Sequence, residues 1–302
     1  MTAHNTLPAS SRELLQKYAH ALNRMELLSR APGSCPGMGR RPGTTTGYSV
    51  EFADYRKYNY GDDIRYIDWN IYARLRKLFL RQFKAEAEVA VHILLDTSNS
   101  MSYGSFPKLH FAKKLAAMFS YVGLSKQDRV GLSTFSDHLL DILPPKRGKQ
   151  QLSHLLALLE KSSAGGASDF GQAFRTYTVR CASRGMLVVL SDCFCSDNYR
   201  EAFRCLAFSG FEVIVVRVLA PEELSPELEE GTELRDLEHS HLRGPVLTEE
   251  AVAGYRRRMR KYSEELSAFC MREGYPYVET TTSLSFDEIL IRLLKAGIWI
   301  KQ

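Results

Sequence analysis

Val91-His92-Ile93-Leu94-Leu95-Asp96-Thr97-Ser98-Asn99-Ser100-Met101 is an apolar run that ends in an acid followed by two hydroxyls at alternate positions. Mostly apolar residues bounded by polar ones read as a central parallel strand, and open α/β sheets place their ligands at the carboxyl ends of such strands. Asp96, Ser98 and Ser100 then leave the strand on one loop, where three oxygen donors converge. Hard oxygen donors with little charge suit Mg²⁺. The competing reading is simpler: an acid and two serines that cap the next helix.

Working outward, short apolar runs alternate with amphipathic stretches. Residues 89–95, 129–135, 186–190, 211–219 and 277–279 read as strands, and 138–144 as an antiparallel edge strand ended by Pro144-Pro145. Between them, 109–124, 149–161, 170–182, 199–208, 249–273 and 286–295 carry helical spacing. Strands alternating with helices predict a doubly wound, mostly parallel α/β sheet with helices on both faces. Ahead of it, residues 10–29 carry apolar residues every three or four positions and predict a helix, and 31–47, rich in Gly, Pro and Thr, read as a linker. The expected organisation is 1–47 helix and linker, 48–88 a distinct segment packed on the core, and 89–302 the α/β domain. Residues 222–243 form an acidic, turn-rich insertion.

The 302 residues are 44% hydrophobic and 25% charged, enough for a substantial core, and the net charge of +5 gives no argument for nucleic acid. Of two basic clusters, Arg74 to Arg81 and Arg256 to Lys261, the second has helical spacing and reads as a solvated helix face. Six cysteines (Cys35, Cys181, Cys193, Cys195, Cys205, Cys270) lack ligand spacing, so reduced thiols and a cytoplasmic protein are expected, with Cys193 and Cys195 as buried thiols. No apolar run reaches the roughly 18 to 20 residues of a membrane span.

Two further positions fall on the same sheet edge as Asp96. Ser168-Asp169 follows the turn Ala164-Gly165-Gly166-Ala167, and Asp192 follows the strand at 186–190. A helix cap suffices to explain Ser168, and an ordinary strand-end carboxylate suffices for Asp192. Three loops meeting at one crevice favour a shared site instead.

Asp96-x-Ser98-x-Ser100, a hydroxyl 72 residues on (168 − 96) and an acid 24 residues further (192 − 168) resemble the metal-ion-dependent adhesion site of von Willebrand factor A domains. The resemblance implies a von Willebrand factor A-like, Rossmann-like fold that binds Mg²⁺, with Mn²⁺ as a substitute. Ser98 and Ser100 would ligate directly, Ser168 directly or through water, and Asp96 and Asp192 largely through waters, with a partner's carboxylate completing the octahedron. Ser168 stands where that family usually has Thr, which implies weaker or more conformation-dependent binding.

Tyr60-Gly61-Asp62-Asp63-Ile64-Arg65-Tyr66-Ile67-Asp68-Trp69, continued by Ala73-Arg74, resembles the signature of the bacterial domain of unknown function 58 family. The match is expected from about Tyr48 to the C-terminus. Physically, Asp62, Asp63 and Asp68 interleaved with Arg65 and Arg74 predict an internal salt-bridge network, with Ile67 and Trp69 as apolar anchors. The family resemblance implies a non-enzymatic, chaperone-like partner of MoxR-type AAA+ ATPases in the assembly or maturation of other proteins.

The rival class is a haloacid-dehalogenase-like phosphotransferase with Asp96 as nucleophile. That chemistry needs a second acid two residues on, and Ser98 stands there. No G-x-x-x-x-G-K-[ST] loop and no G-x-S-x-G elbow occur. The chain is therefore expected not to be an enzyme, to bind no nucleic acid and not to insert into a membrane.

Overall fold

The computed structural model describes residues 11–27, 52–60, 62–83, 90–195, 199–226, 233–235, 243–246 and 249–301. The linker at 31–47, Cys35 and most of the acidic insertion lie outside the described residues. In chain order the elements are α1 (Ser11–Leu22), β1 (Met25–Leu27), β2 (Phe52–Lys57), α2 (Trp69–Leu75), β3 (Phe79–Phe83), β4 (Ala90–Asp96), α3 (Lys108–Ser125), β5 (Arg129–Phe135) and β6 (Leu139–Lys146). They continue with α4 (Lys149–Lys161), α5 (Phe170–Arg180), β7 (Met186–Ser191), α6 (Tyr199–Phe208), β8 (Glu212–Leu219) and α7 (Pro221–Leu224). Last come β9 (Glu233–Arg235), β10 (Arg243–Val246), α8 (Glu249–Glu273), β11 (Tyr277–Thr281), α9 (Phe286–Lys295) and β12 (Trp299–Lys301). The chain divides into two units, one of residues 1–29 with 89–302 and one of residues 30–88.

The larger unit is built on a six-stranded sheet of order β11-β8-β7-β4-β5-β6. Only β6 runs antiparallel. β4 is central because all seven of its residues are buried and its side chains serve both faces. Val91, Ile93 and Leu95 join the layer of α1, α3, α4 and α9, while Leu94 joins that of α5, α6 and α8. Numbered within this sheet the order is 3-2-1-4-5-6. The direction of winding reverses between β4 and β7, the switch point where doubly wound sheets open a crevice at their carboxyl ends. The predicted α/β class is the observed one, a mostly parallel doubly wound sheet with helices on both faces.

Two local expectations change. The edge strand β6 continues through Pro144 and Pro145 to Lys146, with its register against β5 shifted between Val130 and Leu132. Prolines are tolerated on an edge, and Gln151 Nε2 donates to the carbonyls of Val130 (2.8 Å) and Pro144 (3.1 Å) where the ladder is disturbed. The first helix stops at Leu22, and β1 then pairs antiparallel with β12. Met25 and Leu27 alternate with a period of two, a strand signal that the helical spacing before them obscured. Leu14, Leu15 and Leu22 of α1 lie in the core of the larger unit, and Tyr18 stacks on Phe286 at 3.7 Å.

In the smaller unit β2 and β3 form an antiparallel pair. Asp68 caps α2 by accepting from the N–H groups of Asn70 (2.9 Å) and Ile71 (3.2 Å), and it also accepts from the Tyr55 hydroxyl (3.2 Å). Asp63 pairs with Arg65 at 2.6 Å as expected, whereas Asp62 pairs with Arg56, an arginine outside the expected set, at 2.8 Å. Ile67 is buried and bridges to Leu80, whereas Trp69, expected as an anchor, is 60% exposed and meets Tyr72 edge-on. Trp69 opens a seven-residue helix whose capping residue and the position before it turn inward, which leaves Trp69 itself outside.

In the larger unit Arg256, Arg257, Arg258, Arg260 and Lys261 are exposed along α8, a solvated face. Among the described residues no helix is long and apolar enough to cross a membrane. Phe135, Phe170, Phe174 and Phe203 form a ring cluster with centroids 5.1 to 5.9 Å apart. We predict that Phe174→Ala lowers the stability of the larger unit by about 3–5 kcal/mol in urea denaturation, while Trp69→Ala costs less than about 1 kcal/mol. A comparable loss from both would contradict the exposed placement of Trp69.

Candidate functional site

The central strand delivers Asp96 into a fully buried position. Both of its carboxylate oxygens are engaged: Oδ1 accepts from the Ser98 N–H at 2.9 Å and Oδ2 from the Ser191 hydroxyl at 2.6 Å. The Ser98 and Ser100 hydroxyls lie 3.0 Å apart and hydrogen-bond to each other. The reading of this loop as a cap for the next helix does not hold. Ser98 stands before a single 3₁₀ turn at Asn99–Ser102 without capping it through its side chain, and α3 starts after Pro107.

The second loop is stitched to the first through its backbone. Asn99 N–H donates to the Gly166 carbonyl at 2.8 Å, and Gly165 N–H to the Thr97 carbonyl at 2.7 Å. Gly166 has φ +82°, and a side chain there would also meet Ser136 Oγ at 3.0 Å, so the turn needs glycine. Ser168 does not cap α5; Asp169 does, accepting from Gln172 N–H at 3.0 Å. The Ser168 hydroxyl is buried and has no hydrogen-bond partner among the described residues. An orphaned buried polar group of this kind costs about 1–3 kcal/mol.

The third loop carries Ser191 and Asp192. The Ser191 hydroxyl accepts from Cys193 N–H at 2.8 Å, and Cys193, at φ +57°, is pinned by the Tyr262 hydroxyl on its carbonyl. Burial pushes the Cys193 thiol well up, and Cys195 is half-buried, so only one of this pair is the buried thiol expected for both. Asp192 is fully buried, with Oδ1 accepting from Phe194 N–H at 3.0 Å and Oδ2 from Lys108 Nζ at 2.6 Å. Lys108 Nζ also reaches Glu223 Oε1 at 2.5 Å. Behind the loop, buried Arg217 donates to the Asp192 carbonyl at 2.9 Å, pairs with Glu279 at 3.0 Å and lies over the Phe194 and Tyr262 rings.

Lys108 and Glu223 escaped the sequence analysis. Lys108 looks like the polar first residue of a helix and Glu223 like part of an acidic turn, and their meeting across 115 residues leaves no local trace. Ser191, adjacent to Asp192, was likewise passed over, although a hydroxyl beside a strand-end acid is a readable signal.

Burial, reinforced by the Asp192 charge, pushes the Asp96 carboxyl up to about 7. Burial works against the Lys108 ammonium, but Asp192 and Glu223 outweigh it and hold its pKa above the ordinary value. Burial raises Glu223 despite Lys108. Among the described residues no three His, Cys, Asp or Glu side chains are arranged to hold a metal, so any ion here would depend on hydroxyl oxygens. Ser98 and Ser100 are brought together directly, Asp96 joins them through the Ser98 N–H, and Ser168 belongs to the loop stitched to theirs. Asp192 joins through the neighbouring Ser191, with its own oxygens turned to Lys108 and Phe194. An Asp96 that is wholly buried, with both oxygens accepting hydrogen bonds, is poorly placed as the nucleophile of a phosphotransferase, which is not favoured.

The family described as "Protein of unknown function DUF58" matches residues 54–262, and the chain belongs to that family. Uncharacterized proteins of Mycobacterium bovis and Mycobacterium tuberculosis are 27% identical over 213 residues, covering 69% of this chain and 67% of theirs. Among solved structures, BatB from Bacteroides thetaiotaomicron is 22% identical with a TM-score of 0.43, covering 69% of this chain and 98% of its own. An aerotolerance-related membrane protein from Bacteroides fragilis is also 22% identical, with a TM-score of 0.42 and coverage of 68% and 99%.

The raised Asp96 pKa has a sign that can be measured. The folded state holds a proton that the unfolded state has released between about pH 4 and about pH 7, so Asp96 stabilises at the acid end of that window and loses its contribution as pH rises through it. Asn at this position keeps an acceptor for Ser98 N–H and offers a donor to Ser191. Asp96→Asn is therefore expected to be more stable than the parent above pH 7, in chelator, by roughly 2–4 kcal/mol, with the advantage vanishing towards pH 4. His92, buried and held down to about pH 4, runs the opposite way but cancels in the difference between the two proteins. Parallel urea titrations at pH 4.5 and 8 would show it, and equal stabilities at both pH values would refute it.

Proposed function

We propose that this DUF58 member is a non-enzymatic interaction adaptor that captures a partner's Asp or Glu through a divalent cation, Mg²⁺ or Mn²⁺, held in the crevice at the carboxyl edge of the sheet. The von Willebrand factor A-like fold and the family support an interaction role in general, and the cation is the finer step. The observation that carries that step is the buried Ser168 hydroxyl, without a hydrogen-bond partner among the described residues, on a loop stitched to the one bearing Ser98 and Ser100. A buried hydroxyl without a protein partner is open to an ion or a water.

The donor set fits the ion. Octahedral Mg²⁺ with ligands at 2.0–2.1 Å sets neighbouring oxygens about 2.9 Å apart, and Ser98 and Ser100 already stand at 3.0 Å. The charges fit as well. With all groups ionised, three carboxylates (Asp96, Asp192, Glu223) and one ammonium (Lys108) leave the crevice at −2 (−3 + 1), which a divalent ion neutralises. Ser98, Ser100 and Ser168 would hold the ion, with Asp96 and Asp192 acting through water because their own oxygens are occupied. When bound, the ion would supply a Lewis-acidic position open to an incoming carboxylate. The partner favoured by the family resemblance is a MoxR-type AAA+ ATPase or its client, in the assembly or maturation of other proteins.

Isothermal titration with Mg²⁺ and Mn²⁺ is expected to show one site, weakened on the order of tenfold or more by Ser98→Ala combined with Ser100→Ala. Capture of a MoxR-type ATPase on the immobilised protein should be lost in EDTA, restored by Mg²⁺ and absent from the double variant. Capture indifferent to both treatments would mean that the fold serves as a scaffold and the metal bridge is wrong.

A further inference from the structure

From the triad Asp192–Lys108–Glu223 we infer that Lys108 is the residue that sets the crevice's affinity for a cation and keeps the bound ion receptive to an external carboxylate. The inference rests on the proposed cation site and adds a control that the site's ligands do not contain. Lys108 is a whole positive charge with no exposed surface, 2.6 Å from one carboxylate of the crevice and 2.5 Å from another. Its ammonium therefore does part of the work a metal would do. It occupies Asp192 Oδ2, which keeps that acid from ligating through the same oxygen.

The second partner, Glu223, lies on the short helix after β8 and is held there by the Ala220 N–H donating to its Oε2 at 2.8 Å. It reaches the crevice through its hydrogen bond with Lys108, and its charge also acts on Asp192. The pair thus forms a charge adjuster. With Lys108 present, a divalent ion brings the crevice to zero, and an incoming carboxylate meets no net negative charge. Without it the same ion leaves −1, which holds the metal more tightly and repels the acid. In a buried site, where the effective dielectric is low, one unit of charge this close changes cation affinity on the order of tenfold or more.

The test is a charge ladder read with Mn²⁺ alone by calorimetry, on full-length protein checked for folding by circular dichroism. At pH 8, above the raised Asp96 value, the parent starts from −2, Lys108→Met gives −3, Glu223→Gln gives −1, and the two together restore −2. Mn²⁺ affinity should be highest for Lys108→Met, lowest for Glu223→Gln, and close to the parent for the pair. Water-proton relaxation by the bound Mn²⁺ should respond to acetate in the parent and much less in Lys108→Met. If Lys108→Met does not fold, Glu223→Gln, which keeps the Lys108–Asp192 pair, carries the test through its weakened affinity. Parent binding with a flat ladder would overturn the role of Lys108 and leave the cation site standing. No Mn²⁺ binding by the parent or any folded variant would overturn both.

Discussion

Two carboxylates buried at the carboxyl edge of a parallel sheet impose conditions on everything around them. Asp96 ends a strand with no exposed residue, and Asp192 follows the strand beside it, so water cannot answer either charge. Each oxygen instead has a protein donor: Ser98 N–H and Ser191 Oγ for Asp96, Phe194 N–H and Lys108 Nζ for Asp192. Those four contacts fix the first loop and the third, and the first loop fixes the second through Thr97 and Asn99. Arg217 of β8 then holds the third loop through the Asp192 carbonyl and is itself held by Glu279 of β11. The unsolvated charge opposes movement of these loops. A loop that drifted would strand a carboxylate, and that costs several kilocalories per mole.

Much of this architecture is legible in the chain. A parallel sheet buried on both faces needs nearly continuous apolar strands, and β4, β7 and β8 state that directly, so their limits are found to within a residue or two. Helices such as α4 and α9 carry the three-and-four spacing that a one-sided burial demands. Edges and ends are harder to read. β6 passes through two prolines because a side-chain amide, Gln151, takes over bonds the strand cannot make. β1 is three residues long and acquires its meaning only from β12 at the other end of the chain.

Within the crevice, the hydroxyls and acids at the ends of strands were visible because sheet topology sends strand ends to one edge. Lys108 and Glu223 were not. A buried lysine has no sequence signature, since its cost is met by partners 84 and 115 residues away. Trp69 shows the same limit in reverse. Its size argues for burial, but the inward positions around it are taken by Asp68 as a cap and Ile67 as an anchor.

In the proposed function, the division of labour between hydroxyls and carboxylates suits a contact site better than a catalytic one. A hydrolase or phosphotransferase needs an acid with a free oxygen and a second group to move a proton. Here the strand-end acids spend their oxygens on backbone, serine and lysine donors, and the hydroxyls of Ser98, Ser100 and Ser168 carry no charge. Neutral oxygens beside committed acids can hold a cation without quenching it. That arrangement suits a bond made and broken with another protein's carboxylate, in which the strength of the contact is set by the charge of the crevice and its selectivity by the surface around it.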